Sequence, residues 1–184
     1  MGIIRQGIGG AALLLAAQGA WAQSTVTLYG VVDSFVQYLG NGSTHSFSER
    51  SGGNSGSNVG LKGDEDLGGG FKARFVLESG YNVNNGTFFI DSSTLFYRQA
   101  WVGLTHNDYG TLTFGRQYQP TFWAIYYTDP FRGNELLSPV AAAAVAVDRN
   151  TLATQAASGR TSNSIEYQSP VIGGLKLYTM YAFR

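Results

Sequence analysis

Phe71-Lys72-Ala73-Arg74-Phe75-Val76-Leu77-Glu78-Ser79-Gly80-Tyr81 is the most regular stretch of this 184-residue chain. Phe71, Ala73, Phe75, Leu77 and Tyr81 fall on one side of an extended backbone, and Lys72, Arg74 and Glu78, with Val76, on the other. Side chains of a strand alternate between two faces, so this period of two predicts a strand with one apolar and one charged face. Aromatics at the ends of the apolar face, with aliphatics between, suit contact with lipid and its interfaces.

The same rhythm extends in both directions. Upstream, residues 26–38 place Val26, Leu28, Gly30, Val32 and Val36 opposite Thr27, Tyr29, Asp33 and Gln37. Residues 57–65 read as a second strand, closed by the turn Asp66-Leu67-Gly68-Gly69-Gly70. Downstream, strands are expected over 95–105, 110–115, 162–169 and 175–184, which brings the count to seven. Residues 41–57 are almost wholly Gly, Ser, Asn and charged residues apart from Phe47, and read as a long solvated loop. Residues 117–158 form a second, longer irregular stretch, in which residues 140–147 are alanine-rich. Tight turns at 66–70, 106–109 and 170–174 alternate with these long connections. That alternation predicts an all-β, antiparallel up-and-down transmembrane barrel with long loops on one side of the membrane and short turns on the other. A soluble sandwich keeps most connections short. Bacterial single-chain barrels close with an even number of strands, so a count of seven predicts an incomplete portion of one.

Composition agrees. Glycine is abundant at 25 residues and charged residues make up only 13%, which disfavours helix and favours strand and turn. Twelve basic and twelve acidic residues balance, so a nucleic-acid partner is not expected. Without cysteine there is neither a disulfide nor a thiolate metal site, and no cofactor is expected. Arg5 and the amino terminus, the apolar run over residues 8–17 and Ala20-Trp21-Ala22 have the layout of an export signal. Residues 1–22 are therefore expected to be a signal peptide, and residues 23–184 the barrel portion. The apolar run is about half of the ~20 residues a membrane-spanning helix needs.

Enzyme signatures are weak. Gly53-Asn54-Ser55-Gly56-Ser57 misses the last position of a nucleophile elbow, and His45 and His106 fall in a polar loop and a tight turn. The chain is read as a non-catalytic protein. The rival readings are a non-channel outer-membrane barrel, either enzyme or small closed barrel, and a secreted soluble β-protein.

Several motifs resemble the general Gram-negative porins in order along the chain. Val26-Thr27-Leu28-Tyr29-Gly30-Val31-Val32-Asp33 is similar to their mature start. Gly60-Leu61-Lys62-Gly63-Asp64-Glu65-Asp66-Leu67 resembles their second strand and first short turn. Arg98-Gln99-Ala100-Trp101-Val102-Gly103-Leu104 and Tyr109-Gly110-Thr111-Leu112-Thr113-Phe114-Gly115-Arg116-Gln117 are similar to the hairpin before their inward loop. Asn163-Ser164-Ile165-Glu166-Tyr167-Gln168 resembles the strand after it. The resemblance implies a sixteen-stranded, homotrimeric barrel in the outer membrane of a Gram-negative bacterium, of which this chain supplies somewhat less than half. Such a barrel is a water-filled channel for passive diffusion of ions and small hydrophilic solutes. The resemblance also implies a third loop folded into the lumen, with carboxylates facing a basic wall. On this chain it places Arg98 and Arg160 on that wall and Asp129 and Glu135 on the loop; Arg74 is a further wall candidate from its place on the polar face of its strand, and Lys62 another. Asn58 stands where these porins commonly carry an arginine, which lowers the expected positive potential there. Val59, Leu61, Phe71, Phe75, Leu77, Leu112 and Phe114 are expected to face lipid or a neighbouring subunit.

Overall fold

The computed structural model describes residues 25–89, 93–133, 138 and 159–184. The expected signal peptide, the alanine-rich stretch at 140–147 and Glu135 lie outside the described residues. Seven strands form one antiparallel sheet: β1 (Thr25–Val31), β4 (Asn58–Gly68), β5 (Phe71–Gly80), β6 (Gln99–His106), β7 (Gly110–Tyr118), β8 (Arg160–Gln168) and β9 (Tyr178–Ala182), hydrogen-bonded in that order. Two more, β2 (Ser34–Asn41) and β3 (Thr44–Ser51), pair only with each other. The single helix among the described residues, α1 (Pro120–Thr128), follows β7. The seven strands of the main sheet match the number expected from the sequence.

Two expectations are corrected at the amino-terminal end. The strand expected over 26–38 is divided between β1 and β2, and the loop expected over 41–57 contains β3. The chain leaves the main sheet at Asp33. Its carboxylate accepts the N–H groups of Gly53, Asn54 and Ser55 at 2.9, 3.0 and 2.9 Å, and its own N–H donates to Ser57 Oγ at 3.0 Å. Burial pushes the Asp33 carboxyl up, but the N–H groups of Ser55, Gly53 and Asn54 outweigh it and hold the carboxyl below its ordinary range. β3 was not legible because Phe47 is its one large apolar residue; cross-strand hydrogen bonds to β2 make it a strand, not a buried face. Gly42, with φ +60°, opens the two-residue turn between them. Among the other strands only boundaries move, with β6 beginning at Gln99, β7 running on to Tyr118 and β9 beginning at Tyr178, while the stretch expected to be irregular over 117–158 contains α1.

Register settles the two faces. Phe75 pairs with Gly63 and Val102, and Val102 with Phe114. One residue along, Arg74 pairs with Asp64 and Gly103, and Gly103 with Thr113. Paired residues of an antiparallel sheet share a face, so the apolar and polar sets of β5 continue across the sheet. Arg74 and Phe75 lie on opposite faces, as the alternation requires.

Burial is inverted relative to a water-soluble protein. Tyr97 is the sole buried hydrophobic side chain among the described residues, whereas Glu78, Thr113, Gln117, Ser164 and Glu166 are buried. Leu28, Val102, Leu104, Leu112 and Phe114 are exposed together on the apolar face. Soluble folds bury such a face against a second layer. Here the face is bare, which fits lipid as its solvent. At the short-turn end, the His106 ring packs against Phe71 and Tyr109, with centroids 4.6 and 4.4 Å away. Aromatic side chains at a strand end form the belt expected at a membrane interface.

Candidate functional site

The polar face carries a connected charged group at the end away from the short turns. Tyr29, Gly60 and Glu78 stand side by side in one row across β1, β4 and β5. Gly60 leaves room for this: a Cβ would lie 2.6 Å from the Tyr29 ring, which crosses it and would have to shift. Tyr29 thereby donates its hydroxyl to Glu78 Oε2 at 2.7 Å. The Lys62 ammonium lies 5.2 Å from the centroid of the same ring.

Arg98 closes on Glu78 from the other side, its Nε donating to Oε1 at 2.5 Å. Its Nη2 reaches the Tyr118 hydroxyl at 3.5 Å. That hydroxyl also accepts Arg160 Nη2 at 2.5 Å, and the Arg160 guanidinium lies 4.4 Å from the Tyr118 ring centroid. Arg160 and Arg116 lie 5.5 and 5.8 Å from the Tyr97 ring centroid. Arg116 further donates to the Tyr97 carbonyl at 2.5 Å and to Ser162 Oγ at 2.8 Å. Two tyrosine rings therefore sit among three guanidinium groups, and cation–π attraction offsets part of their mutual repulsion. Lys62, Arg98, Arg116 and Arg160 against Glu78 alone leave three net positive charges.

The geometry depends on a bulge. Regular pairing of β7 with β8 slips between Gly115 and Gln117, where Gly115 has φ +128°, a value L side chains rarely adopt. The slip sets Tyr118 opposite Arg160. Bulges re-aim side chains in this way.

Of the residues singled out from sequence, Arg98, Arg160 and Lys62 belong to this connected group. Arg74 does not. It pairs with Asp64 at 2.5 Å, both half exposed, four residues along β5 from Glu78, or about 13 Å at the usual strand rise. Asp129 is the C-cap of α1 and turns its carboxylate into its own loop. It accepts Ser138 Oγ at 2.5 Å and the N–H groups of Gly133 and Phe131 at 2.7 and 3.0 Å. Burial raises that carboxyl, but the Ser138 hydroxyl and those N–H groups outweigh it and hold it below its usual range. Asp129 is therefore ionised at neutral pH.

Sequence reasoning gave no role to Arg116, Tyr97 or Tyr118, and it missed α1. Pro120 carried a signal for the helix, since proline favours the first helical turn and here occupies it.

Comparison with known proteins agrees with this architecture. Residues 9–184 match the family model of the Gram-negative porins. The chain is 35% identical to an outer membrane porin protein of Bordetella pertussis, over 94% of this chain and 47% of that protein. It is 34% identical to outer membrane porin protein 32 of Delftia acidovorans, over 94% of this chain and 48% of that one. Its fold is similar to that of an anion-selective porin from Comamonas acidovorans, with a TM-score of 0.69 and 32% identity, over 87% of this chain and 47% of that one. The chain spans about half the length of the relatives it matches. On the extent of the family match and these identities, the chain belongs to the Gram-negative porin family.

Proposed function

We propose that the protein is a non-catalytic outer-membrane channel, homotrimeric in the membrane, through which ions and small hydrophilic solutes diffuse passively, with anions favoured. The observation that carries this reading is the inverted sheet: a bare apolar face, and a polar face on which Lys62, Arg98 and Arg160 gather around Glu78. Arg98 and Arg160, with Lys62 beside them, form the basic wall of the constriction. Arg74 belongs to the lumen wall nearer the short turns. Asp129 supplies fixed negative charge on the inward loop, and Glu135 adds a second. Opposed charges across a narrow aqueous space select ions by sign and favour dipolar solutes. A secreted soluble β-protein fits poorly, because its apolar face would need a core that this sheet does not build.

Purified protein added to planar bilayers is expected to give stepwise ohmic conductance with a reversal potential displaced toward the anion. Absence of conductance steps sinks the channel reading. Glu78→Gln is expected to increase the anion preference about twofold, since one negative charge about 5 Å from an ion's path is removed. A fall in anion preference contradicts the placement of Glu78 in the lumen.

A further inference from the structure

Arg98 and Arg160 carry like charges, and one oxygen stands between them. The Tyr118 hydroxyl accepts Arg160 Nη2 at 2.5 Å and lies 3.5 Å from Arg98 Nη2. Those two nitrogens are thus within about 6 Å of each other, inside the ~10 Å over which salt screens their repulsion. Without a tether, guanidiniums so close would swing apart.

Tyr118 is itself held in place. The slip between Gly115 and Gln117 sets it opposite Arg160, and its ring stacks on Phe122 with centroids 4.3 Å apart. Phe122 fits because residue 159 is glycine, where a Cβ would come within 2.5 Å of that ring. Gln119 joins the same two segments: its N–H donates to the Gly159 carbonyl at 2.8 Å, and its side-chain amide to Thr161 Oγ1 at 2.5 Å. The Arg160 guanidinium, 4.4 Å from the Tyr118 ring centroid, therefore meets both the ring and the hydroxyl of a braced residue.

The two tethers of the wall differ in charge. Glu78 holds Arg98 and neutralises it. A phenol oxygen accepts hydrogen bonds without adding a negative charge.

We propose that Tyr118 is a positioning residue for selectivity: it keeps the Arg98 and Arg160 charges acting on one point of the lumen while cancelling neither. The inference rests on the channel reading above and deepens it.

Tyr118→Phe changes no charge and keeps the ring, so a change in ion preference reports a guanidinium that has moved. In planar bilayers under a salt gradient, the anion-to-cation permeability ratio is expected to fall roughly twofold. That is the change when one charge recedes from about 5 to about 8 Å from an ion's path at 0.1 M salt. In the Arg98→Gln, Arg160→Gln background the substitution has no guanidinium to release and is expected to leave the ratio unchanged, since residues that act through one another are not additive. A residue that only braces the strand or α1 would act equally in both backgrounds. Should Tyr118→Phe fail to assemble, Arg160→Lys carries the test. It keeps the charge but gives up the planar fork that spans ring and hydroxyl, and is expected to lower the ratio by a similar factor; a wild-type ratio there overturns the proposal. An unchanged or raised ratio in Tyr118→Phe, or an equal fall in both backgrounds, also overturns it and leaves the channel reading intact. A wild-type protein that conducts no ions overturns both.

Discussion

Replacing Arg98 and Arg160 together with glutamine is expected to lower the anion-to-cation permeability ratio roughly fourfold or more. One charge about 5 Å from an ion's path contributes roughly 0.8 kcal/mol in water, or about 0.5 kcal/mol after screening over a ~10 Å Debye length at 0.1 M salt. That is about a twofold change in anion partition for each arginine, before the opposite change for cations is counted. The net wall charge drops from three to one. Arg98 is ion-paired to Glu78, so its loss turns a neutral pair into one negative charge beside the path. Each single replacement removes one positive charge, so Arg98→Gln and Arg160→Gln alone are each expected to shift the reversal potential by about half of the double variant's shift. Assembly survives, since substitutions in the lumen tune selectivity more than stability. Reversal potentials under a salt gradient provide the measurement, and an unchanged value in the double variant removes both residues from the constriction.

The second large effect concerns the other face. Val102 is 56% exposed at the middle of β6 on the apolar side, while Val76 lies on the polar side, paired with Trp101 and Lys62. Val102→Arg places a charge in hydrocarbon and is expected to cost about 2–4 kcal/mol near the membrane midplane. Val76→Arg places the same group in water beside Lys62, where repulsion between solvated charges is on the order of 1 kcal/mol or less. The first variant should lose the heat-modifiable, detergent-stable form on unboiled gels, and the second should retain it. The reverse pattern contradicts the assignment of faces.

The main sheet was legible because its information is local. Alternation in β5 follows from eleven consecutive residues, and the glycine-rich turn at 68–70 marks where β4 ends. Strand β3 was not, because Phe47 is its one large apolar residue and leaves no alternation of apolar with polar. The candidate site was legible only in part. Family resemblance marked Arg98 and Arg160, but what joins them is Tyr118, brought opposite Arg160 by the slip at Gly115 and Gln117. A bulge one residue long has no hydrophobic period of its own. Tyr97 and Arg116 were missed for a similar reason: they enter the group through contacts between distant segments, which local patterns do not encode. Asp129 was chosen for its charge and its position in the long loop. Its carboxylate takes three donors of that same loop, a local turn chemistry to which Gly133 contributes.

The most direct test of the account is solvent access along β5. The protein has no cysteine, so single cysteines placed at positions 71 to 78 can each carry one spin label without background. In the membrane-embedded protein, labels at 71, 73, 75 and 77 should be relaxed most by oxygen dissolved in lipid. Labels at 72, 74, 76 and 78 should be relaxed most by a water-soluble metal chelate, giving two profiles of period two and opposite phase. Profiles in phase, or equal access from water at Arg74→Cys and Phe75→Cys, would contradict a sheet with lipid on one side and a lumen on the other.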